Sequence, residues 1–197
     1  MKLKLIIVSA LAAGLASAAT IQMGNIPQPG ELNVLLNQGP SGLQVTGLVG
    51  GVLDLFDSTQ ILINPSSGQA RTEALVGLLN NVKLSLGGIT FGDVIFDLHC
   101  NQGSGGCPTA HNTIMIATSD GTTASFLAGP GQNFFTITGT GLTSVSIKMS
   151  DGASDIRQVR FSNIAGVVTT PEPAAIGLML VGLGAVRLRR GRFPKGA

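Results

Sequence analysis

Ser144-Val145-Ser146-Ile147-Lys148-Met149 alternates polar and apolar side chains without a break. In an extended chain successive side chains point to opposite faces, so Val145, Ile147 and Met149 line one face and Ser144, Ser146 and Lys148 the other. The segment reads as a half-buried strand. The same two-residue period, less clean, marks residues 89–98, 112–118, 122–127, 133–138 and 156–161. Turn-forming pairs lie between such runs: Asn64-Pro65, Gly87-Gly88, Asp120-Gly121, Gly129-Pro130-Gly131, Gly139-Thr140-Gly141 and Asp151-Gly152. Strands recurring about every ten residues predict a single all-β domain over residues 19–166, an antiparallel β-sandwich. Residues 73–79 are the ambiguous stretch, because Leu75, Leu78 and Leu79 also fit the spacing of a short helix.

The 197 residues are 44% hydrophobic but only 11% charged, where a soluble globular domain carries about 25%. A mean hydropathy of +0.40 excludes a disordered chain, which combines low hydrophobicity with high charge. There is no Trp and no Tyr, and only eight Phe, so the stacking surfaces that single-stranded nucleic acid and sugars use are scarce. The net charge of +2 is produced by the two ends. Residues 19–170 hold five basic side chains against nine acidic ones, a net of −4. A nucleic-acid footprint would be a basic patch on the folded domain, so nucleic acid is excluded as a partner.

Lys2 and Lys4 precede an apolar run from Leu5 to Leu15, which ends at Ala16-Ser17-Ala18. A positive head, a short apolar run and an A-x-A site make residues 1–18 a secretory signal peptide, with Ala16 and Ala18 the small residues read by signal peptidase. The mature chain then starts at Ala19 in an oxidising compartment. At the other end Pro171-Glu172-Pro173 is followed by the uncharged residues 174–186 and then by Arg187-Leu188-Arg189-Arg190-Gly191-Arg192. The prolines fix an extended, accessible connector. The arginines Arg187, Arg189, Arg190 and Arg192 form a basic stop that keeps this end on the cytoplasmic side. Thirteen helical residues span about 20 Å, short of a hydrocarbon core of roughly 30 Å. Such a helix suits a transient membrane hold before processing better than a permanent anchor.

In this order, Pro-Glu-Pro, apolar run and Arg-rich end, residues 167–192 resemble the PEP-CTERM sorting signal of bacterial exported proteins, with residues 193–197 as a tail beyond it. The resemblance implies recognition of Pro171, Glu172 and Pro173 by an exosortase, an integral-membrane cysteine transpeptidase of exopolysaccharide-producing bacteria with an outer membrane. It also implies export through the inner membrane to the cell surface or beyond, next to exopolysaccharide. Ser67-Gly68-Gln69-Ala70-Arg71, the run from Gly131 to Ile137 and the run from Asp155 to Arg160 are similar to phrases in the β-rich ectodomains that precede this tail, and imply no activity.

His99, Cys100, Cys107 and His111 carry all of the chain's Cys and His within thirteen residues. A zinc site would use these atoms, but adjacent His99 and Cys100 point to opposite faces of a strand, and the cysteine spacing is not that of a zinc knuckle. An even cysteine count in an exported chain favours a Cys100–Cys107 disulfide, contributing at most about 2–3 kcal/mol for so short a loop. Arg71, Arg157, Gln158 and Arg160 are candidates for a binding face, although outward charges more often protect sheet edges. Asp93 and Asp97 share a strand face and are read as solvated charge rather than as paired acids. No nucleophile elbow, metalloprotease helix or phosphate loop is present, so no catalytic residue, cofactor or metal is expected. The expected function is structural or adhesive. The alternatives are a secreted module binding a glycan or small molecule, and a hydrolase with an unrecognised site.

Overall fold

The structure, a computed structural model, describes residues 18–36, 39–65, 68–100 and 112–167. Contacts divide the chain after Ala165, and the strands lie in the first unit. Its strands are β1 (Thr20–Met23), β2 (Leu32–Asn33), β3 (Leu35–Leu36), β4 (Gly42–Val49), β5 (Val52–Ile63), β6 (Gly68–Gln69), β7 (Arg71–Ala74), β8 (Leu79–Leu86), β9 (Phe91–Cys100), β10 (Asn112–Thr118), β11 (Thr123–Ala128), β12 (Gly131–Leu142), β13 (Ser144–Ala153) and β14 (Asp155–Ser162). Every pairing between these strands is antiparallel.

The all-β expectation holds, but the layers differ from the expected sandwich. The strands follow one path, β1-β12-β9-β14-β7-β5-β8-β13-β10-β11, with β2 on β14 and β3, β4 and β6 branching beside β5. The short strand β7 joins the two halves because it pairs with β14 through Thr72 and Arg71 and with β5 through Ala74 and Glu73. The sheet is therefore nearly closed and barrel-like. Its two ends meet where the Ala19 N–H donates to Asp120 Oδ2 at 2.7 Å and where the rings of Phe126 and Phe135 approach to 5.4 Å.

Ser144 to Met149 forms the first six residues of β13. Val145, Ile147 and Met149 are buried, facing Thr118, Ile116 and Ile114 of β10 in register, and Lys148 is exposed. Five of the eight phenylalanines, Phe56, Phe91, Phe96, Phe135 and Phe161, are fully buried. The aromatic supply is thus used for packing: Phe91 meets Phe161 edge-on at 4.8 Å and Phe96 stacks with Phe135 at 5.6 Å.

One ambiguity is resolved and two local expectations are corrected. Residues 73–79 form no helix: β7 ends at Ala74, a bend follows with Gly77 at φ +75°, and β8 begins at Leu79. Gly139-Thr140-Gly141 and Asp151-Gly152 do not end strands. They lie inside β12 and β13 at register shifts, with Gly141 and Gly152 in the left-handed region, where extra residues, two in β12 and three in β13, bulge and bend the strand. The bulge at Gly152 is held by Asn112, whose Nδ2 donates to the Gly152 carbonyl at 2.7 Å and whose Oδ1 accepts the Asp151 N–H.

The strand β9 is buried on both faces, and this decides where polar chemistry collects. Val94, Phe96 and Leu98 point inward, and alternation puts Asp93, Ile95, Asp97 and His99 on the outer face. The segment from Gly24 to Asn33 crosses that side as a strap. It is held by the Gly24 N–H on the Phe134 carbonyl, by Thr136 Oγ1 between the Gly24 carbonyl and the Ile26 N–H, and by β2 on β14.

Candidate functional site

The candidate site lies on the outer face where β9, β14 and β7 run side by side. Register sets His99 opposite Asp155, Asp97 opposite Arg157, and Arg157 opposite Arg71. Asp155 is completely buried. It accepts from Arg157 Nε and Nη2 at 2.6 and 2.7 Å, and from Arg71 Nε at 3.3 Å. Arg71 also reaches Glu73 at 3.2 Å. These side chains, with His99 and Ser154, line a polar concavity of about 330 Å³.

Two polar atoms in this layer lack a hydrogen-bond partner among the described residues, Asp97 Oδ2 and His99 Nδ1. Asp97 Oδ1 accepts the Asn133 N–H at 2.7 Å. Burial pushes the Asp97 carboxyl above the usual carboxylate range, opposed by the Asn133 amide and by the charges of Arg157 and His99. Asp93 is separately satisfied by the Ser162 hydroxyl at 2.7 Å and by Asn163 Nδ2 at 2.6 Å.

The expectation that Asp93 and Asp97 are solvated is therefore overturned: they are 6% and 0% exposed, Asp93 against Ser162 and Asn163 and Asp97 against the Asn133 amide. They are not a working acid pair either. Four residues along a strand separate their Cα atoms by about 13 Å, beyond the carboxylate spacing glycoside hydrolysis uses. The expected cationic face is also dispersed. Arg71 and Arg157 converge on Asp155, whereas Arg160 binds Glu31 at 2.7 Å and Asn25, on the strap. Gln158 stands at φ +52°.

The sequence reading missed Asp155 as the centre of this cluster. The available signal was Asp155-Ile156-Arg157, an acid and a base two residues apart and so on one strand face. Chemically the arrangement ties β7 to β14 by ion pairs, since Arg71 and Arg157 both face Asp155 and Arg71 also faces Glu73.

Cys100 closes β9 with its side chain buried on the opposite face from His99, and it is not a free thiol. Cys107 and His111 lie outside the described residues, as do Ala16, Pro171, Glu172, Pro173, Arg187, Arg189, Arg190 and Arg192. Ala18 is described and exposed, directly before buried Ala19. Among the described residues no group of His, Cys, Asp and Glu is placed to hold a metal ion, and no helix is long and apolar enough to cross a membrane. If Cys100 pairs with Cys107, iodoacetamide should label neither in protein purified without reductant until a reductant is added, and chelators should leave the melting curve in place. Free labelling of Cys107, or one zinc per chain, would contradict the pairing.

The chain matches no protein-family model, no curated protein and no solved structure.

Proposed function

We propose that this chain is an exported surface or extracellular-matrix protein with a structural or adhesive role in an exopolysaccharide layer, and without catalytic activity. Signal peptidase removes residues 1–18. Residues 174–186 hold the precursor in the inner membrane as a short helix, and an exosortase recognises Pro171, Glu172 and Pro173 and processes the tail. The observation that carries this reading is the order of Pro-Glu-Pro, uncharged run and arginine cluster at the C-terminal end of a chain that opens with a signal-like leader.

Two features of the folded unit support it. The charges of the polar cluster are spent on one another, as suits a scaffold. An in-register row of outward leucines, Leu35, Leu48 and Leu53, each about half exposed, gives the outer face an apolar patch of the kind adhesive surfaces carry. The polar concavity beside His99 favours, as a second reading, a secreted module for a small polar ligand.

Replacing Pro171, Glu172 and Pro173 together with Ala should leave export intact and abolish removal of the tail. Fractionation should then place the unprocessed chain in the inner membrane. Normal C-terminal processing of the triple variant would overturn the assignment.

A further inference from the structure

We propose that cleavage after Ala18 turns the Ala19 nitrogen into an α-ammonium that ion-pairs with Asp120 and clasps together the two ends of the sheet. The proposal rests on the export reading for the cleavage and on the fold for the clasp. Water adds to the Ala18 carbonyl carbon and the Ala18–Ala19 peptide bond breaks. Ala18 leaves as a carboxylate, and the Ala19 nitrogen is protonated, since an α-amine ordinarily titrates near 7.7–8.0. No other reactant is needed.

The geometry is already in place around the backbone nitrogen. Ala19 N lies 2.7 Å from Asp120 Oδ2. The other oxygen, Oδ1, accepts the Thr118 hydroxyl and, at 3.0 Å, the Thr122 N–H. These two contacts fix the carboxylate in the turn between β10 and β11 and leave Oδ2 aimed at Ala19. The turn is itself closed by the Thr118 N–H on the Thr122 carbonyl and the Gly121 N–H on the Thr118 carbonyl. The Thr118 hydroxyl, followed by the Thr122 and Ala19 amides, holds the Asp120 carboxyl well below the usual range, so it is an anion at neutral pH.

Ala19 is seated firmly. It is 7% exposed, whereas Ala18 is exposed. The next residue, Thr20, is in register with Thr138 of β12, so no slack separates the cleavage point from the sheet. On its other side the Ala19 methyl packs against the strand, where a Cβ added to Gly139 would lie only 3.2 Å from it. A larger residue in either place would displace the nitrogen from Asp120.

The location gives the contact its consequence. Along the strand path β1 stands at one end and β10 and β11 at the other, and successive strands between them are joined by ladder hydrogen bonds. At the seam the join is made by Ala19 with Asp120 and by the Phe126 and Phe135 rings. An uncleaved chain has one neutral N–H to offer there. Cleavage replaces it with a cation facing the anion, a stronger, charge-assisted contact. The mature sheet is then fastened by a group that does not exist before processing.

The test uses natural protein and the Asp120→Asn variant, each purified from the exported compartment of the host. Mass spectrometry of the N-terminal peptide gives the first residue. Trace labelling with acetic anhydride at pH 7, with Lys83 and Lys148 as internal references, gives the reactivity of the α-amine. We expect both chains to start at Ala19 and the natural α-amine to react about tenfold more slowly than that of the variant, the change that one unit of pKa produces. Equal reactivity in chains that start at Ala19 overturns the clasp and leaves the export reading standing. A chain that starts elsewhere overturns the cleavage and the clasp with it. If the variant does not accumulate, the natural chain is labelled across pH when folded and in urea. A higher midpoint in the folded chain is expected, and coincident midpoints overturn the proposal.

Discussion

Asp54→Asn should be more stable than the natural chain at pH 7, and that advantage should shrink steadily as the pH is lowered towards 4. Asp54 lies in β5 with its side chain inside the sheet, completely buried, and among the described residues neither carboxyl oxygen has a hydrogen-bond partner of good geometry. Its opposite number is Gly47 on β4, and a Cβ there would come within 2.6 Å of Leu36 and 2.9 Å of Val34, so the carboxyl faces apolar side chains. Burial pushes it up to about 8, countered only weakly by the neighbouring Leu55 amide. The unfolded chain gives up this proton near pH 4 and the folded chain near pH 8. Folding therefore takes up a proton between those values, and the stability contributed by the neutral carboxyl, complete below pH 4, is lost as pH rises to about 8. By pH 7 the loss is on the order of 4 kcal/mol, a large part of the 5–15 kcal/mol typical of a domain. The asparagine cannot ionise. Denaturant melts of both chains from pH 4 to 9 measure the difference between them, which removes the opposite trend from Asp120. Parallel curves would show that Asp54 is solvated or paired.

Phe135→Ala should cost about 3–5 kcal/mol, the usual range for emptying a buried phenylalanine site. For a domain of this size that lowers Tm by on the order of 10 °C. Phe135 is in register with Phe96 on one side and Met23 on the other. Its ring stacks on Phe96 at 5.6 Å and meets Phe126 of β11 edge-on at 5.4 Å. The last contact crosses the seam of the sheet, so truncation removes core volume and a closure contact together. A double-mutant cycle with Phe126→Ala should show a coupling of about 0.5–1.5 kcal/mol. A loss below about 1 kcal/mol for Phe135→Ala, or strict additivity with Phe126→Ala, would contradict a closed seam.

These two residues also show why the second half of the domain was legible from sequence and the first half was not. In β10, β11 and the first part of β13 inward and outward residues alternate, with Met115 and Leu127 the large apolar side chains that face out, so a period of two is visible. In β5 the pattern is inverted around Asp54: the acid points inward while Leu53 and Ile61 are exposed. In β4, Leu43 and Leu48 face outward and Gly47 inward, where Leu36 and Val34 fill its space. A hydropathy pattern cannot report a strand whose outer face is apolar. The strands β2, β3 and β6 are two residues each and exist through their partners, β2 on β14, β3 on β4 and β6 on β3, which local sequence does not encode. At the candidate site the residue types were visible, and Arg71, Arg157 and Asp97 stood out. The burial of Asp97 was not visible, because it depends on β12 and β14, which flank β9 and come later in the chain. The meeting of Arg71 with Asp155, eighty-four residues apart, depends likewise on the placement of β7 beside β14.

The most direct test of the proposed export and sorting is the mass of both termini of the protein recovered from its natural host. The account predicts a chain that begins at Ala19 and lacks the uncharged and arginine-rich residues 174–192, with residues 19–165 unmodified apart from a Cys100–Cys107 bond. A chain recovered outside the inner membrane that still carries residues 187–192, or one that retains residues 1–18, would contradict it.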